Sequence, residues 1–140
     1  MGTYSPKIEW AEKWLKDTKS LYIGGKWVDG SGDVLDSVNP ATGKVIGHLR
    51  CANESDVDRA VDAARKAFDE GPWTSTISHK ERGVIMRKLS ALIREHVEEL
   101  ATLETMDNGK TFPESCEDVV NVADFFDYYS GWCDKYYGEV

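Results

Sequence analysis

The stretch from Pro113 to about Tyr137 constrains this chain more than any other. Read at helical spacing, Val119, Val122, Ala123, Phe126 and Tyr129 fall on one face, and Phe125, Tyr128 and Trp132 on another. A helix that is apolar most of the way round is buried on most sides. The full chain has 140 residues, enough for one ordinary domain. Two other helices and a small hairpin cannot cover such a helix. The sequence therefore predicts that the rings meet a partner surface, through self-association or a homo-oligomer, or a further part of the same fold.

The rest of the chain divides at its turn signals. Residues 1–19 carry a predicted helix over 5–18, with Ser5 as N-cap, Pro6 in the first turn, and Ile8, Ala11, Trp14 and Leu15 on one face. Residues 20–52 read as a meander. Leu21-Tyr22-Ile23 and Lys26-Trp27-Val28 flank Gly24-Gly25, a pair suited to a tight primed turn. Extended segments follow over 34–38 and 45–51, separated by Asn39-Pro40 and Ala41-Thr42-Gly43-Lys44. Residues 53–140 read as helical, in three pieces at about 54–70, 79–108 and 113–137. Val57, Ala60, Val61, Ala64 and Phe68 mark the first; the second opens on the Ser78-to-Glu81 capping box. Its stripe is Ile85, Leu89, Leu92, Ile93, Val97, Leu100 and Leu103, with a kink expected near His96 and a stop at Asn108-Gly109. The fold class is thus α+β: an N-terminal helix and meander, then three long helices.

Composition excludes several functions. The net charge is −8. A nucleic-acid binder needs a basic footprint, and an anionic membrane surface would repel this chain. No segment is long and apolar enough to span a bilayer. Three cysteines are too few, and odd in number, for a secreted disulfide scaffold, and the first residues lack the apolar core of a signal peptide. The expected location is the cytoplasm.

Candidate chemistry is sparse. Thr42-Gly43-Lys44 lacks the flanking residues of a phosphate-binding loop. His48 and Cys51 sit three apart on a strand, on opposite faces. Asp56, Asp58 and Asp62 lack the Gly and distal Glu of a calcium loop and read as a solvated helix start. Cys116 lies near a helix N-terminus but is crowded by Glu114, Glu117 and Asp118; Cys51 and Cys133 have no activating neighbour. All three read as structural thiols, so no catalytic residue and no cofactor-binding residue is assigned.

The order of short motifs is more informative than any one of them. Ile23-Gly24-Gly25-Lys26-Trp27 is followed by Val38-Asn39-Pro40-Ala41-Thr42-Gly43. Next come Asp56 to Val61, Ala63-Ala64-Arg65, Phe68, Gly71-Pro72-Trp73, Glu104-Thr105, Asp107-Asn108-Gly109-Lys110, and Tyr128 to Trp132. Over residues 20–138 this series resembles the N-terminal quarter of the aldehyde dehydrogenase superfamily. The resemblance implies the start of an NAD-binding domain, a hairpin and helices that pack on a Rossmann-type sheet. It implies NAD or NADP as cofactor and an aldehyde as substrate of the complete enzyme. The nucleophilic Cys, the general-base Glu, the oxyanion-hole Asn and the cofactor sheet come later in the family's sequence. No cofactor and no activity are therefore expected of these 140 residues alone. The resemblance further implies a monovalent-cation site from the carbonyls of Ser37 and Val38 and the carboxylate of Asp107, and places Glu117 and Asn121 beside the aldehyde tunnel. The alternative is a non-catalytic helical module that binds a full-length relative or another partner.

Overall fold

The computed structural model describes residues 3–138. The order is α1 (Ile8–Leu15), β1 (Leu21–Ile23), β2 (Lys26–Val28), β3 (Val34–Asn39), β4 (Lys44–Arg50), α2 (Glu54–Glu70), α3 (Pro72–Ser75), α4 (His79–Glu95), α5 (Val97–Asn108) and α6 (Phe112–Ser130). The strands form two separate antiparallel pairs, β1 with β2 and β3 with β4. Gly24 and Gly25 both take positive φ, 60° and 80°, which sets the primed turn that the Gly-Gly pair predicts. An irregularity between Ser37 and Val38 shifts the β3–β4 register. The α+β class stands.

Several boundaries differ from expectation, each for a local reason. Ser5 does not cap α1. Its N–H donates to Glu98 Oε1 at 2.7 Å, so residues 3–7 run outside the helix as an extended lead. Gly71-Pro72 ends α2 but also begins the short α3, because proline suits a first helical position. The long helix over 79–108 is two helices broken at His96, whose backbone (φ −106°, ψ 21°) leaves the helical region. The last helix stops at Ser130; Tyr136 and Tyr137 lie beyond it. The capping boxes at Asn53/Asp56 and Ser78/Glu81 are both formed.

The core lies between α4, α5 and α6 and is made of small side chains. Val97, Ala101, Cys116 and Val119 form its apolar centre, with Ile93, Phe112 and Val120 packed against it. The expected stripe on the second helix faces outward for the most part: Ile85, Leu89, Leu92 and Leu100 are exposed. Gly83, Arg87, Ser90 and Arg94 take its place. They recur every three or four residues and face α6. Ser90 Oγ donates to the Ala123 carbonyl at 2.8 Å, Arg87 to Ser130 Oγ at 3.2 Å, and Arg94 pairs with Asp124 and Asp127. A Cβ on Gly83 would lie 2.6 Å from the Ser130 carbonyl oxygen, so the two helices approach at near backbone contact. Small residues win here because they permit that approach.

The same choice leaves large residues outside. On α6, Val119 and Ala123 are buried, but Val122 and Tyr129 of the expected inner face are exposed, as are Phe125, Tyr128 and, just beyond the helix, Trp132. On α2, Val57, Val61 and Phe68 are exposed, and its fully buried residue is Asp56. Asp56 is therefore no solvated helix start. It accepts the Ser31 N–H at 2.7 Å and the Asn53 N–H at 3.1 Å, and pairs with Arg59. No helix among the described residues is long and apolar enough to cross a membrane.

Candidate functional site

Two motifs far apart in sequence meet where β3 ends. Gly109 ends α5 in the left-handed conformation, φ 84°, and a Cβ there would lie 2.6 Å from Pro40 Cγ. The Asn39-Pro40 turn is thus pressed against the Asn108-Gly109 terminator, where a larger residue would clash. This contact carries the last turn of α5 to the β3 irregularity. Ser37 Oγ donates to Asp107 Oδ1 at 2.5 Å. Asp107, the expected carboxylate ligand, thus meets the Ser37 hydroxyl rather than the expected Ser37 carbonyl, and Val38 is the next residue along the bulge. The expected donor set is a carboxylate and two backbone carbonyls. Such hard oxygens fit a hard cation rather than a soft one. A cleft of about 460 Å³ opens beside them, lined by Trp14, Leu15, Lys19, His48, Leu103 and Glu104 among others. Below it, Lys110 bridges Glu104, at 2.8 Å, and Asp118, which together hold its ammonium well above the usual lysine range.

Glu117 and Asn121 lie one helical turn apart on α6 and line one cleft of about 600 Å³, with Phe112, Cys116, Val120 and Asp124. That volume is in the range of small-molecule sites. Tyr4, from the extended lead before α1, closes one side. The Cys116 thiol is buried in the cleft floor; burial, and then the charge of Glu98, push its pKa up. A raised pKa suppresses the thiolate, so Cys116 is a poor nucleophile. Cys51 and Cys133 are free thiols, and Cys133 Sγ rests 3.5 Å from Met86 Sδ. Among the described residues no three His, Cys, Asp or Glu side chains cluster as a metal site would require. His48 instead pairs with Asp36 across the strands at 2.7 Å.

Sequence reasoning did not find Tyr4, Glu98 or the buried role of Asp56. The partner of Asp56 outside its own helix start, Ser31, lies in a turn whose position no periodicity fixes.

Residues 27–140 match the aldehyde dehydrogenase family. DhaS of Bacillus subtilis (strain 168), a member of that family, is 48% identical over 131 residues, covering 92% of this chain and 26% of DhaS. Betaine aldehyde dehydrogenase of the same organism is 40% identical over 124 residues, 88% of this chain and 25% of that one. Among solved structures, an aldehyde dehydrogenase point mutant from Bacillus cereus superposes with a TM-score of 0.87 at 37% identity, covering 99% of this chain and 28% of the other. Betaine aldehyde dehydrogenase from Staphylococcus aureus, in complex with NAD+, gives 0.86 at 38% identity, covering 94% and 26%. The chain belongs to the aldehyde dehydrogenase family and matches the N-terminal part of its structures. It spans about a quarter of the length of these relatives.

Proposed function

We propose that these 140 residues are the N-terminal portion of an NAD(P)-dependent aldehyde dehydrogenase of the cytoplasm, which oxidises an aldehyde to a carboxylic acid. In this reading they begin the cofactor-binding domain and do not themselves perform the chemistry. The nicotinamide cofactor, when bound to the complete fold, supplies the hydride acceptor. This chain contributes structure around that site: the oxygen cluster of Ser37, Val38 and Asp107 to hold a monovalent cation, and the Glu117/Asn121 face of α6 to line the aldehyde passage. The supporting observation is the contact of Pro40 with Gly109 and the Ser37–Asp107 hydrogen bond it creates. These two contacts bring the segments that carry the family motifs side by side, which supports the cation-site reading. The exposed rings of Phe125, Tyr128 and Trp132 support a second element of the reading: the remaining three quarters of the family fold cover them.

The experiment joins residues 1–140 to the complementary C-terminal part of DhaS and follows NAD(P)H production with aliphatic and aromatic aldehydes. Turnover by the chimera, with none by the 140-residue chain, is expected. Turnover by the 140-residue chain above that of its cysteine-free variant would overturn the assignment of catalysis to the rest of the fold. An inactive but folded chimera would favour the alternative, a helical module that binds a full-length relative.

A further inference from the structure

Residues 3–7 belong to no helix or strand, and none of them is buried. Apolar burial therefore does not hold them. Three polar contacts to α5 do. Ser5 N–H donates to Glu98 Oε1 at 2.7 Å, Lys7 Nζ lies 2.8 Å from Glu98 Oε2, and Lys7 N–H donates to Thr102 Oγ1 at 2.9 Å. One carboxylate thus uses both oxygens to clasp the segment on either side of Pro6. Thr102 is fully buried, and its hydroxyl is fixed by a bond of 2.6 Å to the Glu98 carbonyl. The anchor is rigid and the segment above it is light. Tyr4 is carried past Glu98 on this strap and reaches the cleft of α6, whose lining it shares with Phe112, Val120 and Asn121.

We propose that Tyr4 is a specificity-determining residue: the strap over residues 3–7, latched by Glu98 and Thr102, makes the Tyr4 ring one wall of the α6 cleft and so limits the width of the aromatic or aliphatic carbonyl compound that enters it. The proposal rests on the reading of that cleft as an aldehyde passage. Its physical basis is that a segment held mainly by polar contacts, with its one ring only partly covered, opens locally without unfolding the domain. A latched ring selects by size, because a wall held in place discriminates between ligands that differ by a few carbon atoms.

The test uses the 140-residue chain, labelled with nitrogen-15, and two unreactive planar carbonyl probes, benzamide and 2-naphthamide. Amide shifts of Glu117, Val120 and Asn121 report occupancy, and the ratio of the two dissociation constants reports width. The wild-type chain is expected to favour benzamide. Tyr4→Ala should move the ratio toward 2-naphthamide by on the order of tenfold. Glu98→Ala, which keeps the ring but removes the latch, should move it the same way and speed hydrogen exchange at the Lys7 amide while leaving exchange in α4 and α6 unchanged. Shifts at α6 with an unchanged ratio in both variants would overturn the role of Tyr4 and leave the passage reading intact. No shift at α6 with either probe would overturn both. Exchange that rises throughout the chain in Glu98→Ala would overturn the latch, because the contacts would then belong to global stability.

Discussion

Ser37 on β3 and Asp107 in the last turn of α5 are joined by a hydrogen bond of 2.5 Å across 70 residues of sequence. With Pro40 against Gly109, it ties the meander to the helices. Ser37→Ala removes the donor but leaves the acceptor in contact with water, so the expected loss is about 0.5–1.5 kcal/mol. Gly109→Ala meets two penalties together, a positive φ and a clash with Pro40, and should cost more than Ser37→Ala. Urea unfolding checks the order. If Gly109→Ala is as stable as the wild type, α5 does not terminate against the Asn39-Pro40 turn.

The α4–α6 seam is close at Gly83, where an added Cβ would lie 2.6 Å from the Ser130 carbonyl oxygen. Backbone cannot yield as a side chain can. Gly83→Ala should destabilise the chain by about 1–3 kcal/mol, although alanine is the better helix former. An alanine variant at the exposed Lys88 on the same helix serves as control and should change little. A stabilised Gly83→Ala variant would show that helix propensity outweighs the close approach.

The contrast at Gly83 also explains what the sequence disclosed. Turns and caps were legible because their chemistry is local: Gly24-Gly25, the Ser78/Glu81 box and the Asn108-Gly109 stop all form as read. The buried faces were less legible. Hydrophobic periodicity selects Ile85, Leu89 and Leu92, yet α4 buries Gly83 and Ser90. Periodicity reports which face is apolar, not which neighbour is present to cover it. The Ser37–Asp107 hydrogen bond was not legible: the motif resemblance named both residues as cation ligands, Ser37 through its carbonyl, and nothing in local patterning brings residues so distant together. Tyr4 and Glu98 had no signal of either kind.

Asp56 should give the chain a steep acid response. Its carboxyl is held down to about 2, first by the Ser31 N–H, then by Arg59 and the Asn53 N–H, against an ordinary value of 3.8. The unfolded chain therefore takes up this proton more readily than the folded one. The stabilisation is complete above about pH 4 and is lost as pH falls toward about 2. Urea midpoints measured across that window should fall more steeply for the wild type than for Asp56→Asn, which is weaker at neutral pH. Parallel curves would show that Asp56 does not carry the acid response.

The 140-residue chain should self-associate through the outer face of α6. Phe125 and Tyr128 are each at least 60% exposed, and Tyr129 and Trp132 about half, with Tyr128 edge-on to Tyr129 at 5.1 Å between ring centroids. A buried aromatic contributes about 1.5–3 kcal/mol relative to an exposed one, so covering several of these rings favours a contact between copies. The net charge of −8 opposes it by repulsion between copies, which salt screens. Association should therefore strengthen as salt is raised, the reverse of an interface built on ion pairs. Sedimentation of the wild type at rising concentration should show dimers or larger species, and Phe125→Ser with Tyr128→Ser should return the chain toward monomer without loss of helix content. The half-buried Phe126 is a separate control: Phe126→Ser should lower stability more than it lowers association. A wild-type chain that stays monomeric at high salt and high concentration would contradict the self-association reading and leave the rest of the family fold as the cover for these rings.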